Sequence, residues 1–502
     1  MRARAGDPPR TMPQKILAGR CSYAQRRGDL VAVKVGQVIL TRAPAQALSA
    51  ALALGMKKTN VEVAVAYDGT CVTDAESLRQ RESRGPFSTP PELPSYGVQI
   101  ARAGIGFPAP VHLERFAAPA RLALTDDPRL CTVGGVGMLA LLASPAMLGQ
   151  ALATGLVWLR PPRSIQIHLS GRMRPFVCAR DVALELLRRG ITEIVARIEL
   201  EHAAPVVLEF AGPSARLLSV PDRSVLTGIA PQVGAAAAMF ISDEKTEVYL
   251  RDQRRSKAHR AIAPDPGAPC EDALSLDRGA VDPVLMDEEG NVRPVRDLAG
   301  KPVGQVVLGR DSGASLRDML AAAALLKSKR GPPRLDLLVS PPSRQVLEVL
   351  AQQGALVDLV ATGARVIEPD LRVISTEIYP PPSGTISMRT SDPEPRAPGY
   401  RPFVVASAET LAYSVASGTV GDPRSFKRPV RVTVPRALPT DDVLVTRDKK
   451  GDATALKKTP PAGALVAPKD ALTLEVVADL TASSAAQFAV LLASEEHLRA
   501  FA

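Results

Sequence analysis

Hydrophobic and polar positions near the start of the chain alternate in a way that predicts strands separated by a helix. Residues 29–40 read DLVAVKVGQVIL and residues 61–66 read VEVAVA, two apolar runs of the kind that form buried strands. The segment 45–54 between them is rich in Ala and Leu, which favour helices. The order strand, helix, strand is typical of a βαβ unit, so the pattern predicts a parallel sheet.

The same rhythm continues through most of the chain. Residues 132–153 contain several glycines and predict a strand, a turn and a helix. Further helices are predicted at 179–189, 315–327 and 343–353. Further strands are predicted at 164–169, 193–199, 206–210, 303–308, 334–339 and 356–361. Strands that alternate with helices in this way predict a protein of the α/β class.

Two segments depart from this rhythm. Residues 251–300 are charged, rich in Pro and weakly periodic, which predicts a loose surface connection. From residue 428 onward, several strand-like segments precede a helix predicted at 483–499. This change in the pattern of predicted elements indicates a small C-terminal module that follows the α/β part of the chain.

Composition and charge narrow the classes of partner. The 502 residues carry 62 Lys and Arg against 52 Asp and Glu, a net charge of +10, and aromatic residues make up only 4%. A nucleic-acid interface needs clustered positive charge with stacking aromatics, so this composition argues against nucleic acid. The longest apolar stretch, residues 136–159, is interrupted by Ser144, Pro145 and Gln150, and no membrane span is expected. No apolar segment follows the basic N-terminus, so we expect a cytoplasmic protein without a secretory signal.

The cysteines and histidines show no metal-ligand spacing. The five cysteines are Cys21, Cys71, Cys131, Cys178 and Cys270. They include no C-x-x-C pair, and the five histidines include no pair at metal spacing. The sequence therefore predicts isolated thiols, no disulfide framework and no metal site.

Four segments in the expected order carry a family resemblance. Residues 208–250 run from LEFAG to DEKTEVYL, and 125–162 contain CTVGGVGM and SPAMLGQALATGLVWLRPP. Residues 306–369 contain LGRDSGASLRDMLAAAALLKSKRG, and 403–423 contain VVASAETLAYSVASGTVGDP. With gaps, from about residue 14 to residue 425, the chain resembles the aconitase superfamily. It is most similar to the large subunits of 3-isopropylmalate and homoaconitate dehydratases.

The resemblance implies three α/β domains around a cleft, with a mobile fourth domain supplied by the same or another chain. The expected divisions are an N-terminal tail at 1–25, aconitase-like domains at 26–159, 160–300 and 301–425, and the small module at 426–502. The implied partner is therefore a small-domain subunit or another protein.

The chemistry that the resemblance implies depends on a four-iron four-sulfur cluster held by three Cys thiolates. At the position of the Cys in the family's G-S-C-T-N motif, this chain has Asp311. The two Cys of the P-G-C-x-x-C turn fall on Leu371 and Ile374. Leu and Ile cannot coordinate iron, and one carboxylate is too hard a ligand to retain a sulfide cluster alone. We therefore expect no cofactor, no cofactor-binding residue and no metal.

The acid, base and substrate positions of the family are also substituted. The D-S-H-T motif reads Asp127-Pro128-Arg129-Leu130, and the substrate-clamping arginine is replaced by Pro393. An Asp that precedes Pro or Gly more often caps a turn than acts in catalysis, so we assign no catalytic residue. The residues that could still line the cleft are Asp68, Asp127, Arg129, Arg310, Asp311 and Ser312. Arg310 and Asp311 could form a salt bridge in the place of the cluster, and Arg310 or Arg129 could bind a small organic anion.

Residues required by the backbone, such as Gly134, Gly137 and Gly309, are kept, whereas the chemical groups are replaced. This contrast predicts a binding, regulatory or scaffold pseudoenzyme that has lost its cluster and its hydro-lyase activity. Two alternatives remain open: an active hydro-lyase of the 3-isopropylmalate or aconitate type, and a nucleic-acid-binding scaffold.

Overall fold

The computed structural model describes residues 8–27, 29–68, 89–310, 313–367, 379–390, 403–440 and 444–446. Within them the chain folds into helices and mainly parallel sheets, which confirms the α/β class. No helix among these residues is both long enough and apolar enough to cross a membrane.

The helices are short and most begin at a Ser, Thr or Asp cap or at a Pro in the first turn, both of which suit a helix N-terminus. They are α1 (Met12–Ala18), α2 (Pro44–Ala53), α3 (Pro108–Arg115), α4 (Pro145–Thr154), α5 (Ala179–Arg188), α6 (Ile191–His202), α7 (Val220–Thr227), α8 (Glu244–Asp252), α9 (Leu316–Leu326), α10 (Arg344–Gln352), α11 (Ala355–Thr362) and α12 (Ala408–Ser417).

The strands are mostly apolar. They are β1 (Cys21–Arg27), β2 (Leu30–Lys34), β3 (Gln37–Leu40), β4 (Val63–Tyr67), β5 (Gln99–Ala101), β6 (Leu122–Thr125), β7 (Leu139–Leu142), β8 (Leu156–Leu159), β9 (Arg163–Ser170), β10 (Val206–Ala211), β11 (Ala237–Phe240), β12 (Asp272–Asp277), β13 (Val284–Met286), β14 (Val292–Pro294), β15 (Val303–Gly309), β16 (Asp336–Ser340), β17 (Arg365–Val366), β18 (Ile386–Arg389), β19 (Val404–Ala406) and β20 (Val445–Thr446).

Four sheets form within the described residues. A six-stranded sheet has the order β20-β5-β4-β3-β6-β7, a four-stranded sheet has β11-β10-β9-β12, and a seven-stranded sheet has β14-β13-β19-β18-β15-β16-β17. These sheets are parallel except for β20 and for the β13–β14 hairpin. The smallest sheet, β1-β2-β8, has three strands and is antiparallel throughout. Strands such as β3 and β6 are buried along their whole length, as parallel strands covered on both faces must be.

Two predicted strands are helices in the structure, so those predictions are wrong. Residues 193–199 lie in α6 and residues 356–361 lie in α11. In α6 the buried residues are Ile191, Val195 and Ile198, spaced by four and three positions, which is the period of one helical face. The buried residues of α11 have the same spacing. Short apolar runs fit both periods, and packing against the neighbouring elements decides between them.

The segment 251–300 is not the loose connection that its charge and Pro content predict. It supplies β12, which pairs in parallel with β9, and β13, which pairs with β19 of the seven-stranded sheet. The apolar runs in this segment are short, as at Val284 and Leu285, and their side chains are buried. A short run is sufficient for a strand that pairs with the edge of an existing sheet.

A 3₁₀ helix at Pro128–Val136 holds the six-stranded and four-stranded sheets close together. A side chain at Gly134 would collide with the backbone carbonyl of Ala238 in β11, and one at Gly135 would collide with Ser224 in α7. These two glycines are therefore required by the close approach of the backbones.

The described start of the predicted C-terminal module packs onto the body of the protein. Leu438 is buried in the core of the seven-stranded sheet, and β20 pairs with β5. Gln345 of α10 also donates a hydrogen bond from Nε2 to the carbonyl of Pro439 at 2.6 Å. The helix predicted at 483–499 lies outside the described residues, and the division into three domains and a module stays a prediction.

Candidate functional site

The carboxyl ends of three neighbouring parallel strands meet at one edge of the seven-stranded sheet. Strand β15 ends at Gly309, which is in register with Ser340 at the end of β16, and β18 ends at Arg389. Ligands of parallel α/β sheets bind in the crevice outside such strand ends. This edge is therefore the candidate cleft, and Arg310 follows directly from it.

The backbone at this edge is tightly constrained. Gly309 has a φ of 106° and a side chain there would collide with the carbonyl of Ser340. Arg310 has a φ of 72°, which non-glycine residues rarely adopt, and its amide donates to the Ser340 carbonyl at 2.7 Å. Thr390 donates from Oγ1 to the carbonyl of Gly309 at 2.6 Å. Such strained positions persist where the surrounding structure fixes them, and they cluster at functional sites.

Two arginines at this edge are buried. Arg310 is 2% exposed and Arg389 is 1% exposed. The guanidinium of Arg389 lies over the Phe403 ring at 4.3 Å from its centre, a cation–π contact. Two buried guanidinium groups therefore lie at the ends of neighbouring strands.

The positions that the resemblance assigns to the cluster ligands carry one carboxylate and two alkyl side chains, in place of the three thiolates that hold a four-iron four-sulfur cluster. Asp311, Ser312, Leu371 and Ile374 themselves lie outside the described residues.

The described cysteines lie on separate elements. Cys21 is in β1, Cys131 is in the 3₁₀ helix, Cys178 precedes α5, and Cys270 precedes β12. The thiols of Cys131 and Cys270 face backbone carbonyls, those of Arg129 and Ala268, at 3.9 Å in each case. Cys71 lies outside the described residues.

Asp127 and Arg129 lie together on the six-stranded sheet as a buried ion pair. Arg129 donates from Nε to Oδ1 of Asp127 at 2.9 Å and from Nη2 to Oδ2 at 2.6 Å, and Arg42 lies 3.4 Å away on the other side. Asp127 also caps the 3₁₀ helix by accepting from the Arg129 amide. Burial raises the pKa of the Asp127 carboxyl, but the two arginines outweigh this effect and hold the pKa well below its usual value.

Asp68 follows β4 of the same sheet and accepts hydrogen bonds from Thr89, which lies 21 positions further along the chain. Its Oδ1 accepts from the amide of Thr89 at 3.3 Å and from the Thr89 hydroxyl at 2.9 Å. Asp68, Asp127 and Arg129 thus follow strands of one sheet, whereas Arg310 follows a strand of another. Arg129 is engaged by Asp127, and Arg310 and Arg389 lie at the edge of the seven-stranded sheet.

A group that the sequence analysis missed joins Cys178 to Asp318 and Glu409. One potential ligand atom from each of the three residues lies within 4.8 Å of the others, and all three residues are buried. Cys178 precedes the first turn of α5, while Asp318 and Glu409 lie in the first turns of α9 and α12. No short motif could reveal this group, because its members are distant in sequence and an acidic residue in a first helical turn is ordinary.

Burial shifts the ionisation of this group. It raises the pKa of the Cys178 thiol, and the Glu409 carboxyl adds to that effect. Burial, with the neighbouring Asp318, raises the pKa of Glu409 to about 8, and burial raises that of the nearby Asp181 to about 7. Arg317 is the basic side chain that reaches the group, with Nη1 at 3.4 Å from Asp318 and 3.7 Å from Glu409.

Comparisons with known proteins find similarity to the aconitase family and to 3-isopropylmalate dehydratases. The sequence model of the aconitase family (aconitate hydratase) matches residues 91–286. The chain is 29% identical over 315 residues to a probable 3-isopropylmalate dehydratase large subunit of Methanothermobacter thermautotrophicus, covering 62% of this chain and 73% of that protein. It is 27% identical over 425 residues to the 3-isopropylmalate dehydratase large subunit 2 of Archaeoglobus fulgidus, covering 83% of this chain and 99% of that protein.

The chain is similar to the aconitase family over residues 91–286 and to 3-isopropylmalate dehydratase large subunits over more of its length. This confirms the resemblance to 3-isopropylmalate dehydratase large subunits. A solved structure, aconitase X of Thermococcus kodakaraensis in its holo-form, is similar over 80% of this chain and 90% of its own, at a TM-score of 0.40 and 10% identity.

Proposed function

We propose that this aconitase-superfamily chain carries no iron–sulfur cluster and does not dehydrate or hydrate carboxylic acids. In this proposal it acts as a binding, regulatory or scaffold subunit. The observation that carries the proposal is the replacement of three thiolate ligands by Asp311, Leu371 and Ile374.

The argument rests on coordination chemistry. Iron–sulfur clusters are held by soft thiolates, and the side chains of Leu and Ile offer no donor atom at all. The cluster's open iron would supply the Lewis acid of the family reaction, which contributes several kcal/mol to stabilisation of the transition state. Losing a general acid or base lowers the rate by a further ~10²- to 10⁴-fold.

A small organic anion is the ligand class that the candidate cleft favours. Arg310 follows β15 and Arg389 ends the neighbouring parallel strand β18, and a guanidinium group binds a carboxylate through charge-assisted hydrogen bonds. A small-subunit partner is also part of the proposal, because the relatives are named as large subunits.

An active hydro-lyase is the second candidate, because the relatives are named as dehydratases. An assay of the anaerobically reconstituted chain with 3-isopropylmalate separates the two candidates. We expect no conversion above the background of the Asp311→Ala variant. Turnover that depends on Asp311, or that survives both Asp311→Ala and metal chelation, would contradict the proposal.

A further inference from the structure

We infer that Cys178, Asp318 and Glu409 form a site for one thiophilic divalent cation of the Zn²⁺ class. This site differs in residues and in kind from the cluster position of the family, and it does not depend on the proposed function. A buried thiol and two buried carboxylates converge there within 4.8 Å of one another. They are brought together by α5, α9 and α12 rather than by a single loop.

An unpartnered buried oxygen points to a missing ligand. Glu409 is 5% exposed, and its Oε2 atom has no hydrogen-bond partner in the structure. Leaving a buried carboxylate oxygen without a partner is costly, and such atoms are rare in folded proteins. A cation bound by Oε2 would satisfy it.

Hydrogen bonds around the group hold Asp318 and Cys178 in place. Asp318 uses Oδ2 to accept from the Ser315 amide and hydroxyl, both at 2.9 Å, which fixes its carboxylate, and its Oδ1 accepts from Nη1 of Arg317 at 3.4 Å. Asp181 holds the Cys178 amide at 2.9 Å and so fixes the backbone that carries the thiol. Contacts of this kind orient metal ligands in known sites.

The charge balance also favours a cation. Asp318, Glu409 and the nearby Asp181 carry carboxylates, and Arg317 reaches two of them from an exposed position. A divalent cation bound by these acidic groups would displace their protons, because metal ligands bind in the deprotonated form.

The donor set selects the class of metal. One thiolate with two carboxylates suits Zn²⁺, whereas Ca²⁺ and Mg²⁺ prefer oxygen ligands alone. In a tetrahedral zinc site, bond lengths near 2.3 Å to sulfur and 2.1 Å to oxygen place those two ligand atoms about 3.6 Å apart. The group therefore needs to contract by no more than about an ångström on binding. The bound ion would join α5 to α9 and α12 and would stabilise the folded chain.

The test uses the full-length, tag-free chain, freed of metal by chelation and then titrated with Zn²⁺ against a chromophoric chelator. We expect about one equivalent of Zn²⁺ to bind and to raise the melting temperature. Cys178→Ser should weaken this binding at least about tenfold, because a hydroxyl is a poor ligand for a thiophilic metal. Ser is also a good N-cap, so this variant should fold. Cys131→Ser, which removes another buried thiol, is the matched control and should bind Zn²⁺ as the unchanged chain does.

A second measurement on the unchanged chain keeps the inference testable if a variant does not fold. Co²⁺ in place of Zn²⁺ should give the near-ultraviolet charge-transfer absorption of a cobalt–thiolate bond. Glu409→Gln should weaken both this absorption and Zn²⁺ binding. The inference is overturned if the unchanged chain binds no Zn²⁺, if Cys178→Ser binds it equally well, or if bound Co²⁺ shows no thiolate absorption.

Discussion

At the scale of single residues, His112 shows how burial fixes a charge state. It is fully buried between Gln37, whose Oε1 lies 2.8 Å from Nε2, and Tyr67, whose hydroxyl lies 3.1 Å from Nδ1. Burial lowers the pKa of His112 to about 3, and the charge of Arg255 lowers it further in the same direction. The histidine is therefore neutral in the folded chain.

Glu114, two residues further along α3, is shifted in the opposite direction. Burial raises the pKa of its carboxyl to about 7, although the Ser343 hydroxyl donates to it at 2.7 Å. This contact joins α3 to the start of α10, because Ser343 is the N-cap of that helix.

These two groups predict opposite pH dependences of stability. The unfolded chain protonates His112 below pH 6.5 while the folded chain does not until about pH 3, so its contribution is lost as the pH falls through that window. Relative to His112→Gln, the unchanged chain should lose up to about 1.4 kcal/mol of unfolding free energy per pH unit there. Urea denaturation between pH 4 and pH 8 measures this slope.

The Glu114→Gln variant is the companion measurement. The folded chain retains a proton on Glu114 up to about pH 7 while the unfolded chain loses it near pH 4.5. The unchanged chain should therefore lose stability relative to Glu114→Gln as the pH rises through that window. A difference that is flat with pH for both variants would contradict the account of these buried groups.

The capping role of Asp127 could be predicted from the sequence, whereas its buried ion pairs could not. An Asp before Pro indicates a cap, and Asp127 caps the 3₁₀ helix. Its buried ion pair with Arg129 and Arg42, and the group around Cys178, depend on how distant elements pack, which no local pattern encodes.

At the scale of elements, long periodic segments were predicted correctly from the sequence, whereas two short apolar segments were predicted as strands and are helices. The helix predicted at 315–327 is α9, and the strand predicted at 303–308 is β15. The runs 193–199 and 356–361 were ambiguous because both helical and extended periods fit seven or fewer apolar-rich residues. The tertiary packing of α6 and α11 resolves that ambiguity.

The segment after α12 packs into the hydrophobic core beside the seven-stranded sheet. Shortening one buried side chain tests whether this packing stabilises the fold. Leu438→Ala should lower the unfolding free energy by about 2–5 kcal/mol, because it opens a cavity in the buried core. Val434→Ala, at a position 39% exposed, is the matched control and should change it by less than about 0.5 kcal/mol. Urea denaturation followed by circular dichroism measures both. Equal, small effects would indicate that residues 426–440 are an appendage.

At the scale of the whole molecule, the α/β class and the resemblance to the aconitase superfamily could be predicted, because glycines and apolar runs occur in the expected order. The assembly of four sheets could not, because strands that are adjacent in sequence, such as β2 and β3, join different sheets. The buried arginines at the edge of the seven-stranded sheet became visible only when its strand ends were placed together.

We propose above that this chain holds no iron–sulfur cluster. The most direct measurement is an iron and acid-labile sulfide analysis after anaerobic reconstitution, together with the visible spectrum. With Asp311, Leu371 and Ile374 at the ligand positions, we predict no stoichiometric sulfide and no broad visible absorption. A single ion at Cys178 would leave both results unchanged, because it carries no sulfide. Stoichiometric iron and sulfide that disappear on changing Cys71 or Cys131 to Ser would contradict the claim.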